Sequence, residues 1–405
     1  MTAPVSDHYS APRRSALAAT VVALVASVTG CAGTRAPGDE PAPTGQALVI
    51  GASLELTGQG SALGTQQEHA LRILAAKLDV DGVPVGRTRR PVRLELRDNQ
   101  SDPTLAARQA GELAGDEGIQ ALVGGTLPET ALALEGVARK RKIPFLSLAP
   151  GAAVTGSPDD EGYVFKLTPD DADVARRLAE AVAAQKLRRV AVLAAQGSHG
   201  DAGAEALPTA LKAAGVRLDR TGRLPATGSD FRAAVRRVAT GRPDAVLVWA
   251  TAPDSGAAAK ELRRSGYRGA ILFDSGAVAE QTLRGTEASA VEGAYAVHPM
   301  SLNGSTLTSI AGSALARRDF MYRYLQEYGE YHGFAPYAAD ALELVAAAAR
   351  LADSLDRGRI RAFLETQVVE GMAGWYAFSP SRHGGMEADS LAVFVVSQGA
   401  WTRIS

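Results

Sequence analysis

Cysteine is almost missing from this sequence: the 405 residues include one, at position 31. A chain with a single cysteine forms no internal disulfide, so its fold must rest on the packing of its core. Charge of one sign is also lacking, because the formal net charge is -1. The pairs Arg89-Arg90 and Arg236-Arg237 have no sustained basic block around them, so we expect no nucleic-acid partner.

Metal-binding and catalytic patterns are lacking as well. The six histidines form no His-x-x-x-His or His-Glu-x-x-His pattern, and no Gly-x-Ser-x-Gly elbow or Walker loop occurs. We therefore expect no metal, no cofactor and no enzyme activity. The stretch from Gly58 to Gly64 approaches a dinucleotide fingerprint, but its third glycine comes one place late, which disfavours a dehydrogenase.

Residues 1–30 have the features of an export signal. Arg13 and Arg14 form a positive n-region, and residues 15–29 carry no charge and are apolar or small. This run is too short for a comfortable membrane span and has the length of an h-region. Its end, Val28-Thr29-Gly30-Cys31, resembles the bacterial lipobox, whose cysteine is joined to diacylglycerol. A buried cysteine beside a cleavage site, and export by a twin-arginine route, remain as alternatives.

The lipobox predicts removal of residues 1–30, lipidation of Cys31 and attachment to the cell membrane on its extracellular or periplasmic face. Residues 31–46 are rich in Pro, Gly, Ala and Thr and have almost no large apolar residue. Such a stretch cannot bury a core, so we expect a disordered tether.

From residue 47 onward, apolar strands alternate with amphipathic helices. Strands are predicted at residues 47–52, 92–96, 119–123, 143–148, 190–193, 245–249 and 270–273. The first helices are predicted at residues 62–78, 103–114 and 128–141. Continuous apolar strands are typical of parallel sheets covered by helices on both faces. Because the series occurs twice, the predicted fold class is α/β, with two doubly wound parallel-sheet lobes.

Three predicted helices begin with threonine, proline and an acid in the same order. Residues 126–129, 168–171 and 251–254 each fit a capping box with proline in the first turn. Ligands of doubly wound sheets bind beyond the carboxyl ends of strands, at helix N-termini. Capping alone is enough to explain the pattern, and a ligand-binding role stays open beside it.

A series of short motifs runs through the chain in order. They are Ile50-Gly51-Ala52, Leu56-Thr57-Gly58, Ala62-Leu63-Gly64, the Asp-rich residues 97–103, Val123-Gly124-Gly125, residues 143–147 and 163–167, Ala339-Asp340-Ala341, and residues 374–378 and 393–396. In this order they resemble the branched-chain amino-acid-binding proteins of ABC importers. The resemblance implies a type I periplasmic-binding fold, in which three crossover strands join two lobes around a cleft that closes by hinge motion. It places the N-terminal lobe at residues 47–170 and 299–388, and the C-terminal lobe at residues 171–298 and 389–405.

The resemblance also implies a ligand site. In that family, hydroxyls and backbone N–H groups hold the ligand's α-carboxylate, and acidic and aromatic residues hold its α-ammonium. The corresponding positions here are Leu63, Thr126, Pro128, Ala149, Gly151, Asp171, His199, Thr251 and Ser275. Thr130 is an alternative source of the hydroxyl, and His199 is either a cleft residue or a loop histidine. An anionic group can still bind at helix N-termini, but Asp171 is the only clear acid left for an ammonium group. We therefore expect a ligand other than a standard branched-chain amino acid.

Two functions agree with this pattern. The first is a monomeric, lipid-anchored subunit of an ABC importer that captures an amino acid or a related small polar metabolite and delivers it to a permease. The second is a sensor lipoprotein that reports ligand occupancy to a membrane receptor. The same fold serves both, and neighbouring permease and ATPase genes would distinguish them.

Overall fold

The computed structural model describes residues 43–150, 162–284, 288–303, 312–331, 333–366, 368–386 and 388–404. The predicted signal peptide, Cys31 and most of the predicted tether lie outside these ranges, and so does Gly151. Among the helices within these ranges, none is long and apolar enough to cross a membrane.

Strands and helices are numbered along the chain. The strands are β1 Leu48–Leu54, β2 Val83–Val85, β3 Thr88–Arg90, β4 Val92–Asp98, β5 Ile119–Gly124, β6 Phe145–Ser147, β7 Val164–Lys166, β8 Arg189–Ala194, β9 Arg217–Arg223, β10 Ala245–Trp249, β11 Ala270–Phe273, β12 Tyr295–Pro299, β13 Val368–Glu370, β14 Trp375–Ala377, β15 Leu391–Ser397 and β16 Ala400–Arg403. The helices are α1 Ser61–Asp81, α2 Pro103–Gly115, α3 Pro128–Arg141, α4 Asp171–Ala184, α5 Ser198–Ala213, α6 Arg232–Ala239, α7 Asp254–Arg264, α8 Glu280–Leu283, α9 Ala288–Val291, α10 Gly312–Tyr328, α11 Ala335–Ala352 and α12 Arg357–Leu364.

The first lobe is built on a parallel sheet in the order β4-β1-β5-β6-β7. Helices α1 and α11 cover one face, and α2 and α3 cover the other. Every residue of β5 is buried, because this central strand has helices on both sides. Two short hairpins, β2-β3 and β13-β14, lie outside the sheet.

The second lobe is built on a sheet in the order β16-β15-β12-β11-β10-β8-β9. Strands β8 to β12 are parallel, whereas β15 and β16 add antiparallel strands at one edge. Helices α4 and α5 cover one face, and α6 and α7 cover the other. The prediction of two doubly wound α/β lobes is confirmed, with this antiparallel edge as the difference.

The chain passes between the lobes three times. It leaves the first sheet after β7, returns after β12 so that α10 and α11 pack on α1, and leaves again before β15. The three predicted crossings are therefore present. The lobe boundaries at residues 170/171, 298/299 and 388/389 stay predictions; the second falls at the end of β12 and the third just before β15.

The capping-box prediction was wrong at all three helix starts. The N-cap residues of α3, α4 and α7 are Leu127, Asp170 and Pro253, and none of them accepts a side-chain hydrogen bond. Each threonine precedes its N-cap residue, so its oxygen lies too early in the chain to cap the first turn. The threonines are therefore free for other contacts.

Candidate functional site

A buried carboxylate follows the end of β1. Glu55 is 0% exposed, and its Oε2 accepts a hydrogen bond from the Thr126 backbone N–H at 2.8 Å. Its Oε1 accepts from the Leu127 N–H at 3.4 Å and from the Thr130 hydroxyl. These donors belong to the start of α3, where N–H groups have no partner within the helix. Glu55 therefore acts as an internal anion at the N-terminus of α3.

Glycine lets α1 begin directly over this carboxylate. A Cβ atom on Gly64 would lie 2.1 Å from the Glu55 carbonyl oxygen, and one on Gly60 would lie 2.9 Å from the Glu55 Cβ. Neither position can hold a side chain without moving the backbone. The Gly58–Gly64 pattern that approaches a dinucleotide fingerprint is thus explained by the packing of α1 against the residue after β1.

The predicted first-lobe residues are engaged within the lobe. Thr126 is buried, and its hydroxyl donates to Gln67 Oε1 at 2.7 Å. Ala149 is fully buried, and its carbonyl accepts from the Thr168 hydroxyl at 2.6 Å. Leu63 packs in the core between α1 and the sheet. Among the predicted first-lobe residues that the structure describes, Pro128, the first residue of α3, lines a cavity whose other residues belong to the second lobe.

A second buried carboxylate follows β11 in the other lobe. Asp274 is 0% exposed, and its Oδ1 accepts from the Ala250 N–H at 2.9 Å. Its Oδ2 accepts from the Gly276 N–H at 2.7 Å and pairs with His199 Nε2 at 2.9 Å. This arrangement parallels that of Glu55, because a side-chain carboxylate again satisfies backbone N–H groups beyond the carboxyl ends of strands.

His199 stands at the start of α5 between Asp274 and Trp249. Its ring centroid lies 5.9 Å from that of Trp249, and Gly203 of α5 packs on the same indole, where a Cβ atom would clash at 2.2 Å. Burial alone lowers the pKa of His199, but the charges of Asp274, Asp171 and Glu129 and the hydrogen bond to Asp274 outweigh it and raise the pKa. His199 Nδ1 is buried and has no hydrogen-bond partner among the described residues.

The two lobes meet through polar contacts near these residues. The Ser198 hydroxyl, in α5, donates to Glu129 Oε1, in α3, at 3.2 Å. Gln59, just before α1, donates to the Thr227 hydroxyl at 3.4 Å. A cavity of about 1000 Å³ runs between α4 and α5 of the second lobe, and Pro128 of the first lobe lines it together with Asp171 and Ser198. The two polar contacts show that residues after the strands of one sheet face those of the other.

Comparison with known proteins identifies the family. The sequence matches the family described as periplasmic binding protein over residues 47–400. The chain belongs to this family. Its fold is similar to the branched-chain amino acid transporter substrate binding protein LivJ from Streptococcus pneumoniae, solved in complex with isoleucine, with a TM-score of 0.75 and 20% identity over 88% of this chain and 99% of that one.

Two other similar proteins have a different bound ligand and a signalling role, respectively. A solute binding protein of an ABC transporter from Rhodopseudomonas palustris BisB5, in complex with 3,4-dihydroxy benzoic acid, gives a TM-score of 0.75 and 18% identity over 89% of this chain and 97% of that one. BasB of Halobacterium salinarum, a chemotactic signal transduction system substrate-binding protein, is 31% identical over 143 residues. That match spans 34% of each chain, about a third of the relative's length. The solved structures confirm the type I fold.

Within this periplasmic binding protein, the structure brings together the predicted residues of the second lobe. A Cβ atom on Gly276 would lie 3.0 Å from both His199 Nε2 and Thr251 Cγ2, so Thr251, Ser275 and His199 are contiguous around Asp274. Asp171 is buried and close enough to His199 to influence its charge. Within the described ranges, no group of three or more His, Cys, Asp or Glu side chains could hold a metal ion.

Three acids of the site were missed from the sequence: Glu55, Glu129 and Asp274. Asp171 is therefore one of three acids that influence the charge of His199, and its role in holding a ligand stays a prediction. Asp274 stands one residue before Ser275, the position assigned to the family's acid, so an uncertainty of one residue in the loop hid it. Glu55 carries a visible signal, because it interrupts the apolar residues Leu54 and Leu56 directly after a strand. Glu129 is the acid of a supposed capping box.

Proposed function

We propose that this chain is the extracytoplasmic substrate-binding lipoprotein of an ABC importer, capturing an amino acid or a related small polar metabolite and delivering it to a permease. The observation that carries the proposal is the pair of polar walls, Glu55 with Thr126 and Asp274 with His199, each built after strands of a different lobe. Periplasmic binding proteins of this fold hold ligand between two lobes, and the family supports the same use of this cleft.

Closure of the cleft supplies the mechanism. A ligand that contacts both walls favours the closed arrangement by its differential affinity for it. The contact between Ser198 and Glu129 joins the lobes beside the cleft, and three chain passages serve as the hinge. A permease can then distinguish loaded from empty protein by the distance between the two lobes. The protein acts as a monomer in this proposal.

Lipidation of Cys31 completes the proposal. A lipid anchor and a flexible tether confine the cleft near the permease, which raises its effective concentration there. A Cys31→Ser variant should lose its membrane attachment and appear in the soluble extracytoplasmic fraction, while a purified chain that begins after the tether keeps its ligand affinity. Continued membrane attachment of the serine variant would contradict lipidation at this residue.

A thermal-shift screen tests ligand capture. Ligand at one hundred times its Kd should raise the free energy of unfolding by about 2.7 kcal/mol. The panel contains amino acids, amides, amines, short peptides and aromatic acids, and calorimetric titration follows each hit. The Asp171→Ala variant should bind hits more weakly, whereas Asp173→Ala is the matched control, because Asp173 pairs with Arg176 in the same helix. Tight binding of leucine would contradict the expectation of a different ligand.

The sensor function is the second candidate, and the similarity to BasB favours it. An importer subunit is required for uptake of its ligand, whereas a sensor is required for the response to it. Deletion of the gene, followed by uptake of labelled ligand and by a behavioural or transcriptional assay, separates the two functions. Loss of uptake supports the importer, and loss of the response with normal uptake supports the sensor.

A further inference from the structure

The donors at the start of α3, in the first lobe, are already engaged by the chain itself. The N–H groups of Thr126 and Leu127 donate to the Glu55 carboxylate. The Thr130 hydroxyl donates to the same carboxylate, and the Thr126 hydroxyl donates to Gln67. An incoming carboxylate would have to displace a fully buried anion from three donors, so that one of the two anions would lack partners. The place that the family resemblance assigns to a ligand's carboxylate is therefore occupied from within.

The start of α5, in the second lobe, holds no such internal anion. Its N-cap residue is Gly197, which has no side chain to cap the first turn. Among the described residues, the backbone N–H groups of Ser198, His199 and Gly200 find no acceptor. A Cβ atom on Gly200 would lie 1.9 Å from the Ala195 carbonyl oxygen, so the helix begins directly over the end of β8. These open N–H groups make the start of α5 attractive to an anion.

The polar side chains beside this helix start are bonded elsewhere. The Ser198 hydroxyl donates to Glu129 of the first lobe at 3.2 Å. Asp201, the acid of the first turn, pairs with Arg223 at 2.8 Å. Neither side chain satisfies the backbone N–H groups of the turn, so these groups stay open to an acceptor from outside the chain.

His199 adds a side-chain donor to the same turn. It is 8% exposed, its Nε2 pairs with Asp274 at 2.9 Å, and its buried Nδ1 has no hydrogen-bond partner among the described residues. A helical side chain leans toward the N-terminus of its helix, so this ring stands over the first turn of α5. Burial alone would lower its pKa, but Asp274, Asp171 and Glu129 together raise it. A raised pKa favours the ring with a proton on both nitrogens, and Nδ1 is then an N–H donor that lacks an acceptor.

The acids near this ring decide what else the ligand must carry. The charges of His199 and Asp274 balance each other within one buried pair. Asp171 and Glu129 are two further acids close enough to influence the ring. They repel a carboxylate that comes alone, whereas they attract an ammonium group on the carbon next to that carboxylate. A zwitterion therefore satisfies the open donors and the acids at the same time.

We propose that the ligand's carboxylate binds in the second lobe, on the first-turn N–H groups of α5 and His199 Nδ1, with its ammonium group directed to Asp171 and Glu129. This inference rests on the proposed ligand-binding function and narrows its substrate class to small α-amino acids and similar zwitterions. The orientation is the reverse of the one that the family resemblance implies, in which the first lobe holds the carboxylate. An amine without a carboxylate leaves the donors unpaired, and an acid without an ammonium group meets only repulsion from the two acids.

Acetate and glycine are probes that do not depend on the identity of the natural ligand. In the native chain, the backbone amide NMR signals of His199 and Gly200 should shift with both compounds. Glycine should reach half-saturation at an about tenfold lower concentration, because only glycine carries the ammonium group. The signals of Thr126 and Leu127 should stay constant, since Glu55 occupies their N–H groups. Shifts of Thr126 and Leu127 that equal those at α5, or an absence of shifts at α5, overturn the inference.

A glutamine at position 199 tests the role of the imidazole. His199→Gln can still donate to Asp274 but carries no charge, so its affinity for acetate should fall about tenfold. His69→Gln is the matched control, because His69 stacks on Tyr328 in the first lobe, with ring centroids 3.6 Å apart. If the glutamine variant does not fold, Ser198→Asp places a carboxylate in the first turn, keeps the histidine, and should weaken acetate binding by a similar factor. Unchanged affinity in the variant that folds contradicts the proposal.

The pH dependence gives a second readout for the same residue. Acetate binding to the native chain should weaken as pH rises through the raised pKa of His199, because Nδ1 then loses its proton and presents a lone pair to the carboxylate. Asp274, Asp171 and Glu129 face the ring from three different elements and do not change sign over this range. His199→Gln should lose this dependence on pH. The same pH profile in the native chain and in the variant contradicts a role for the imidazole.

Replacing Asp171 by asparagine tests the ammonium end. Asp171→Asn removes an attraction for glycine and a repulsion for acetate, so glycine should bind more weakly and acetate more tightly. Asp173→Asn is the control, because Asp173 lies in the same helix and pairs with Arg176. Equal changes for both probes overturn the proposed orientation.

The outcomes separate this inference from the proposed function. Probe shifts at the start of α5, combined with a ligand panel in which no compound binds, contradict the proposed function and support the carboxylate site. A ligand that binds tightly and shifts the signals of Thr126 and Leu127 instead of those at α5 supports the proposed function and overturns the inference.

Discussion

Replacing Asp274 by alanine tests the second wall of the cleft directly. The fully buried carboxylate accepts from two backbone N–H groups, at 2.9 and 2.7 Å, and pairs with His199 at 2.9 Å. Each buried donor left without an acceptor costs about 1–3 kcal/mol, and removing one partner of a buried ion pair costs about 3–5 kcal/mol. These costs overlap, since the same two oxygens serve all three donors. We expect the free energy of unfolding to fall by about 3–5 kcal/mol.

Urea denaturation followed by circular dichroism measures this loss. Asp319→Ala is the control, because Asp319 pairs with Arg323, the two side chains are 46% and 53% exposed, and surface pairs contribute little. The variant Asp274→Asn separates the effect of charge from that of packing. His199 stays buried but loses the neighbouring carboxylate that raises its pKa, so its pKa, followed by NMR, should fall. A loss no larger than that of Asp319→Ala, or an unchanged His199 pKa in Asp274→Asn, would refute the assigned network.

Three further predictions concern stability and closure. Burial raises the pKa of Asp340 from 3.8 to about 7. A carboxyl group whose pKa is higher in the folded chain contributes stability below its unfolded-state pKa and loses that contribution as pH rises through its folded-state pKa. The free energy of unfolding, measured by urea titrations, should therefore fall by up to about 4 kcal/mol as pH rises from 4 through 7, and Asp340→Asn should flatten this slope. Gly64→Ala should lower the melting temperature because its Cβ would meet the Glu55 carbonyl, whereas Gly136→Ala, in open space on α3, should not. Glu129→Ala should increase the radius of gyration of the unliganded protein in small-angle scattering, because the contact with Ser198 is lost, with little change in stability.

The sequence predicted the central strands well because burial determines their residues. β5 and β10 are buried at every position, so each is a continuous apolar run with a clear signal. β9 was missed because it lies at the edge of its sheet and exposes most of its residues, which include four arginines or aspartates in Arg217–Arg223. An edge strand has one neighbouring strand and few buried side chains. Its backbone hydrogen bonds define it, and these leave no apolar pattern in the sequence.

The helix starts show a different limit. The threonine, proline and acid pattern predicted the presence of three helices and misassigned their N-cap residues. A side chain caps a helix only from the N-cap position, because its oxygen must reach the N–H groups of the first turn. A shift of one residue along the chain is enough to abolish the cap. Thr126 precedes the N-cap residue of α3, and its hydroxyl bonds to Gln67, a residue far away in the sequence. A local sequence pattern cannot predict a hydrogen-bond partner that another helix supplies.

The candidate site could be located from the sequence, whereas its chemistry could not. Strand ends set the position of Thr126, His199 and Ser275 within about one residue, which is enough to find the cleft. One residue also separates Ser275 from Asp274, and that difference replaces a neutral hydroxyl with a buried anion that binds His199. The residue after β1 has a similar effect on the first lobe. The start of α3 could accept an anion, but the Glu55 carboxylate already occupies its N–H groups. A family resemblance transfers the place where ligand binds, and the charge of the residues at that place decides which ligand can bind there.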